Sequence, residues 1–206
     1  MISLAAATAT LALGAASAAG ESTQYNGASI GFAATAGPLL LNDDRVSSRA
    51  GFSAGFAGRL TGPMLLADVE LGYQVSKLGS VSAGNVPFDL IRQGFTTTVG
   101  LHPLFLALLG NRRIDYIAAS FHADIGASLQ VTSISAGGER STRGDVAWHW
   151  GGGIDFPLTD PNLGRALWLG LLYRNIRLKT DLRPDISTDL GDHQVLLTLG
   201  YRWNWR

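Results

Sequence analysis

Between Tyr116 and Thr132 the chain sorts its residues strictly by parity. Odd positions carry Ile117, Ala119, Phe121, Ala123, Ile125, Ala127, Leu129 and Val131, while even ones carry Tyr116, Ala118, Ser120, His122, Asp124, Gly126, Ser128, Gln130 and Thr132. A helix turning every 3.6 residues would mix the two sets on each face, so this pattern predicts a strand with one apolar and one largely polar side.

Seven more segments repeat the pattern. The first sets Ile30, Phe32, Ala34 and Ala36 against small residues, and the second does the same with Phe52, Ala54, Phe56 and Leu60. In the third, Ala67, Val69, Leu71, Tyr73 and Val75 oppose Asp68, Glu70, Gln74 and Ser76; in the fourth, Phe95, Thr97, Val99 and Leu101 oppose Thr96, Thr98 and His102. The sixth sets Val146, Trp148, Trp150, Ile154 and Phe156 against Asp145, His149 and Asp155. The seventh, the least clean, sets Leu167, Leu169, Leu171 and Tyr173 against Gly170, Leu172 and Arg174, and the eighth sets Val195, Leu197, Leu199, Tyr201, Trp203 and Trp205 against Gln194, Thr198, Arg202 and Asn204.

A water-soluble sandwich or small barrel also alternates, but it hides its bulky apolar set and shows its charges. Here the charges sit on the parity opposite the aromatics, and the segments are long enough for a tilted strand to cross a bilayer, which takes about 9–11 residues. The expected fold is all-β: an eight-stranded antiparallel up-and-down transmembrane β-barrel with a polar interior. Its connections alternate. Thr61-Gly62-Pro63 and residues 157–165 read as short turns, whereas 37–48, 77–92, 133–144 and 180–191 read as longer polar loops. An even strand number then places both termini on the short-turn side, the periplasmic side of an outer-membrane barrel. The connection His102 to Asp115, with PLFLALLGNRR, reads either as an apolar helical turn at the inner membrane interface, Arg112 and Arg113 near headgroups, or as a plug under the barrel.

Residues 2–19 are uncharged and Ala-rich and end in Ala16-Ser17-Ala18, a small-x-small site, so residues 1–18 read as a signal peptide and 19–206 as the barrel domain. Sixteen basic residues balance sixteen acidic ones, which gives no footprint for nucleic acid. There is no Cys, and His102, His122, His149 and His193 are scattered, so neither a metal centre nor a cofactor is expected.

Over about Tyr25 to Arg206 the chain resembles the small outer-membrane barrels of the OmpA, OmpX and opacity-protein type. The most specific element is the terminal run from Leu197 to Trp205, similar to the alternating aromatic strand that the barrel-assembly machinery recognises in such proteins; here Arg206 follows the last aromatic. The resemblance implies a monomer in the outer membrane, in contact with its lipid and lipopolysaccharide.

The inward parity predicts a lumenal ion-pair network of Arg59, Asp68, Glu70, His122, Asp124, His149, Asp155, Arg174 and Arg202, because a charge in a narrow barrel needs a partner or water. Tyr73, Trp148, Trp150, Tyr173, Tyr201, Trp203 and Trp205 are expected at the lipid interfaces. A catalytic reading is tested and set aside. Barrels of this shape that deacylate lipid A carry a His-x-Ser pair on an outward strand, and no His here is followed by Ser two positions on. His193, near Asp189, Asp192 and Ser187, has the most plausible neighbours. The expected role is structural or surface-interacting, with a narrow ion channel and a lipid A-modifying enzyme as alternatives.

Overall fold

The structure, a computed structural model, describes residues 28–42, 50–83, 86–110, 112–136, 138–161, 164–183 and 186–204. Eight strands run in chain order: β1 Ser29–Asn42, β2 Ala50–Thr61, β3 Ala67–Ala83, β4 Val86–Leu101, β5 His122–Ala136, β6 Glu139–Pro157, β7 Arg165–Arg183 and β8 Ile186–Asn204. Each pairs antiparallel with its sequence neighbours, and β8 pairs with β1 to close the barrel. Closure is what makes the fold viable in lipid, since every strand finds backbone partners on both sides.

The register fixes the tilt. A row of paired residues runs from Ile30 through Leu60, Val69, Val99, Ile125, Trp150, Asn175 and His193, and returns to β1 at Leu40. The row therefore comes back ten residues along the strand from which it left, from 30 to 40. With strands about 4.8 Å apart and a rise of about 3.3 Å per residue, that stagger tilts them by roughly 40° and lifts the row by about 25 Å per circuit. Trp203 and Tyr201 lie at the short-turn end, Trp148 lies near the other end of the apolar belt, and Tyr73, Trp150 and Tyr173 lie between.

Parity sorts the wall as the alternation requires. Phe32, Phe56, Leu71, Phe95, Ile125, Leu129, Trp148 and Leu197 are large apolar side chains standing exposed on the outside, whereas Asp68, Glu70, Arg59, Asp155, Arg174 and Arg202 are buried inside. Such a belt is untenable in water and natural in lipid. Beyond it the sidedness reverses. At the end opposite the short turns, Leu39, Leu41, Leu78 and Leu90 form an apolar cluster inside, and Lys77 and Asp89 face outward. There the barrel has the inside and outside of a water-soluble protein, which marks where the membrane ends.

Two expectations change. The residues read as long loops are mostly strand: β3 and β4 run to Ala83 and from Val86, β5 and β6 to Ala136 and from Glu139, β7 and β8 to Arg183 and from Ile186. Polar residues on both faces look like loop in a sequence, yet in water they pair their backbones as well as any others. The predicted fifth strand also starts too early. Arg113–Ala119 is a helix, α1, preceded by the 3-10 segment Phe105–Gly110. Tyr116 and Ala119, three apart on the helix, join Leu65, Leu108, Ala166 and Trp168 in a buried cluster closing the short-turn end. The cluster is the plug, while Leu104, Leu106, Leu109 and Ile114 face outward from the same segment. The signal segment, the residues of the 43–49 connection, Trp205 and Arg206 lie outside the described residues.

Candidate functional site

The interior charges meet because an eight-stranded barrel is only wide enough inside for side chains, and the stagger sets residues of distant strands at one height. Arg59 on β2 donates to Glu70 on β3 (Nη2 to Oε2, 3.0 Å) and across the lumen to Asp155 on β6 (3.1 Å), with Asp68 3.8 Å away. Arg202 on β8 donates to the same Asp155, and Arg174 on β7 reaches Glu70 at 3.4 Å. His122 lies 3.5 Å from Asp124. The nine residues expected in the lumen are all buried there. His149 is the exception to the pairing: its Nε2 lies 2.9 Å from the Thr98 hydroxyl, and no carboxylate is bonded to it.

Glycines on the inward parity give the network its room. A methyl at Gly100 would collide with the carboxylates of Asp68 and Asp124, one at Gly170 would lie 2.5 Å from Asp155 Oδ1, and one at Gly153 would lie 2.9 Å from His122. The void beside Arg59, Asp155, Trp168 and Arg202 measures about 10 Å3, about the space of one water.

Six participants lie outside the nine residues expected in the network, although His102, Gln74 and Gln194 stand on the polar parity of their segments. His102 approaches Asp68 at 3.0 Å, and its ring lies 5.3 Å from that of His122. Arg92 pairs with Asp192 across the lumen, and Gln74 bonds Gln194 at 2.5 Å. Arg92 and Asp192 fell in or beside segments read as loops, although each continues the inward parity of its strand. Trp168 is fully buried under the Arg202 guanidinium, 4.5 Å from its ring centroid. An aromatic residue on the polar parity of the least regular segment gave no signal that it belonged to a plug.

Outside, Tyr73 packs between Phe56 and Phe95, and Tyr201 packs edge-on against Trp203 at 4.6 Å. Of the neighbours expected for His193, Asp192 is not one. Asp192 points into the lumen, on the opposite face of β8, while His193 faces outward and bonds Tyr173 and Asn175. Among the described residues no group of three or more His, Asp or Glu could hold a metal ion. Among the described residues no helix is long and apolar enough to cross a membrane, which leaves crossing by strands untouched.

No family model and no curated protein matches the sequence. Among solved structures the chain is similar to Neisserial surface protein A (NspA), with 16% identity and a TM-score of 0.53, covering 87% of this chain and 99% of that one. It is also similar to Ail, the attachment invasion locus protein of Yersinia pestis (14%, TM-score 0.47, 86% and 99%), and to the N-terminal β-barrel domain of Pseudomonas aeruginosa OprF (10%, 0.40, 85% and 97%). At such identities the likeness to NspA is one of fold, and at that level the expected resemblance to small eight-stranded barrels is met.

Proposed function

We propose that this protein is an integral outer-membrane barrel that acts at the cell surface rather than by transport or catalysis, its lumen serving as a structural core. The observation that carries the reading is Arg59, which spans the interior from β2 to Glu70 on one side and Asp155 on the other, above a short-turn end sealed by Tyr116 and Trp168. A lumen stapled at that point gives no path to a large solute. The surface offered to partners consists of the strand ends beyond the apolar belt, where Arg140, Arg143 and their neighbours on β6 are exposed.

The rest of the reading follows from placement. Both termini belong on the periplasmic, short-turn side, the leader at residues 1–18 delivers the chain there, and the aromatic end of β8 is the signal for barrel assembly. A monomer suffices, since closure leaves no strand edge in lipid to be covered. The hydrogen-bond partners described for His193 are a phenol and an amide, and neither is a nucleophile–acid pair of the kind acyl transfer needs.

The test is detergent-folded protein run boiled and unboiled on a gel, followed by conductance in planar bilayers. A heat-dependent shift with no porin-sized current is expected. A steady large conductance would overturn the closed lumen, and ready solubility without detergent would overturn the membrane reading.

A further inference from the structure

The outer wall of β6, β7 and β8 carries polar groups at a level where the belt elsewhere is apolar. Asn175 and His193 are register partners, and both share the outward parity of Tyr173 and Val195. The Tyr173 hydroxyl donates to His193 Nδ1 at 2.6 Å, and the amide nitrogen of Asn175 lies 3.1 Å from the same atom. An amide nitrogen can only donate, so Nδ1 keeps its lone pair and the ring proton sits on Nε2. Tyr173 stacks on the imidazole (centroids 6.0 Å, planes 28° apart) and Trp150 closes on Tyr173 from its edge, which holds the ring in place. The Nε2–H is thus a preset donor on the outside of the barrel.

Two residues along, Arg177 stands in register with Trp148 on β6 and Gly191 on β8. Arg177 is exposed on the outward face and has bare backbone beside it at Gly191. By the stagger of the barrel, Arg177, Trp148 and His193 lie within a few ångströms of one another in height, about 25 Å from Trp203 at the other end of the belt. A guanidinium at that height, at the edge of the apolar belt, is well placed to take an anion of the interface. Asn175 is 5% exposed, and its Oδ1 finds no hydrogen-bond donor among the described residues. That acceptor needs a hydroxyl, which a phosphosugar supplies and a bare phosphate ester does not.

We infer that Arg177, His193, Asn175 and Trp148 form a binding site for the headgroup of a phosphorylated glycolipid in the outer leaflet. Arg177 takes the phosphate, the His193 Nε2–H takes a second phosphate or ring oxygen, and Trp148 flanks the sugar. The inference rests on the outer-membrane reading, which sets this end of the barrel in the glycolipid leaflet.

The experiment is native mass spectrometry of the full detergent-folded chain titrated separately with purified diphosphoryl lipid A and with phosphatidylmethanol, whose phosphodiester headgroup carries no hydroxyl. Lipid A is expected to be retained at least tenfold more tightly, and Arg177→Gln to weaken it by about tenfold, the scale of one charge-assisted hydrogen bond. Asn175→Leu, which suits a lipid-facing wall and should fold without difficulty, is expected to abolish the preference for lipid A. Equal retention of the two lipids, or retention unchanged in both variants, overturns the site. Each sample is first run unboiled on a gel: a barrel that folds yet shows no preference loses only this inference, whereas a chain that forms no heat-modifiable barrel loses the reading beneath it.

Discussion

Arg59 sits among the buried Glu70, Asp155 and Asp68 and is the cation all three share, with Arg174 and Arg202 as second partners of Glu70 and Asp155. Removing one partner from a buried charge network leaves the others uncompensated, at a cost of about 3–5 kcal/mol. Arg59→Met is therefore expected to destabilise the folded barrel by that amount, read as a lower urea midpoint for unfolding from lipid vesicles; a change below about 1 kcal/mol would mean that the acids are protonated or hydrated and the network carries little. Gly100→Ala tests the same core from the other side. The added methyl meets only the side chains of Asp68 and Asp124, and overpacking of this kind costs about 1–3 kcal/mol. A neutral result would show that Asp68 can swing away from His102 freely. At this scale the sequence was informative wherever parity held. It was silent on partners, because Arg59 to Asp155 spans 96 positions that only closure brings together.

Among the elements, the connection from β4 to β5 shows best how two periodicities compete. From Tyr116 to Ala119 the residues fit a strand by alternation, and they fit a helix because Tyr116 and Ala119 fall on one face. The helix wins because that face has an apolar cluster to fill. Its start carries a local signal three residues apart: the Asp115 carboxylate accepts from the Arg112 backbone N–H at 2.9 Å and from the Arg112 side chain at 3.0 Å. Hydrogen bonding from the Arg112 side chain, and then from its backbone, holds the Asp115 carboxyl below the usual aspartate range. A depressed folded pKa means that the contribution is fully present above the unfolded value and fades as pH falls through the folded one. Amide protection factors across Arg113–Ala119, which divide out the intrinsic slowing of exchange in acid, are accordingly expected to fall only below the ordinary aspartate range, whereas Asp115→Asn, which cannot ionise, should be less protected than wild type at neutral pH and lose the acid step. An acid step that persists in Asp115→Asn would assign it to another group.

For the whole molecule, the reversal of sidedness marks one limit of the apolar belt, and the proposed orientation places that end outside the cell. Charged outer faces and an apolar interior near Leu39, Leu41, Leu78 and Leu90 belong in water. The chain contains no Cys, so single cysteines report position directly. In intact cells a membrane-impermeant maleimide is expected to label Lys77→Cys and Ser141→Cys, but Arg112→Cys only after the outer membrane is permeabilised. The opposite pattern would invert the barrel, and labelling of all three would remove it from the membrane. Strand number, inward and outward faces and the membrane-spanning character were all readable before the structure, because a period of two is a local property that survives in one dimension. The stagger of ten, the pairing of Arg92 with Asp192, the burial of Trp168, the continuation of strands through polar segments and the outward meeting of Tyr173, Asn175 and His193 were decided only by the tertiary structure. Each depends on how a tilted sheet closes on itself: closure sets side chains from distant strands at one height, and no pattern within a single strand records where its neighbour will stop.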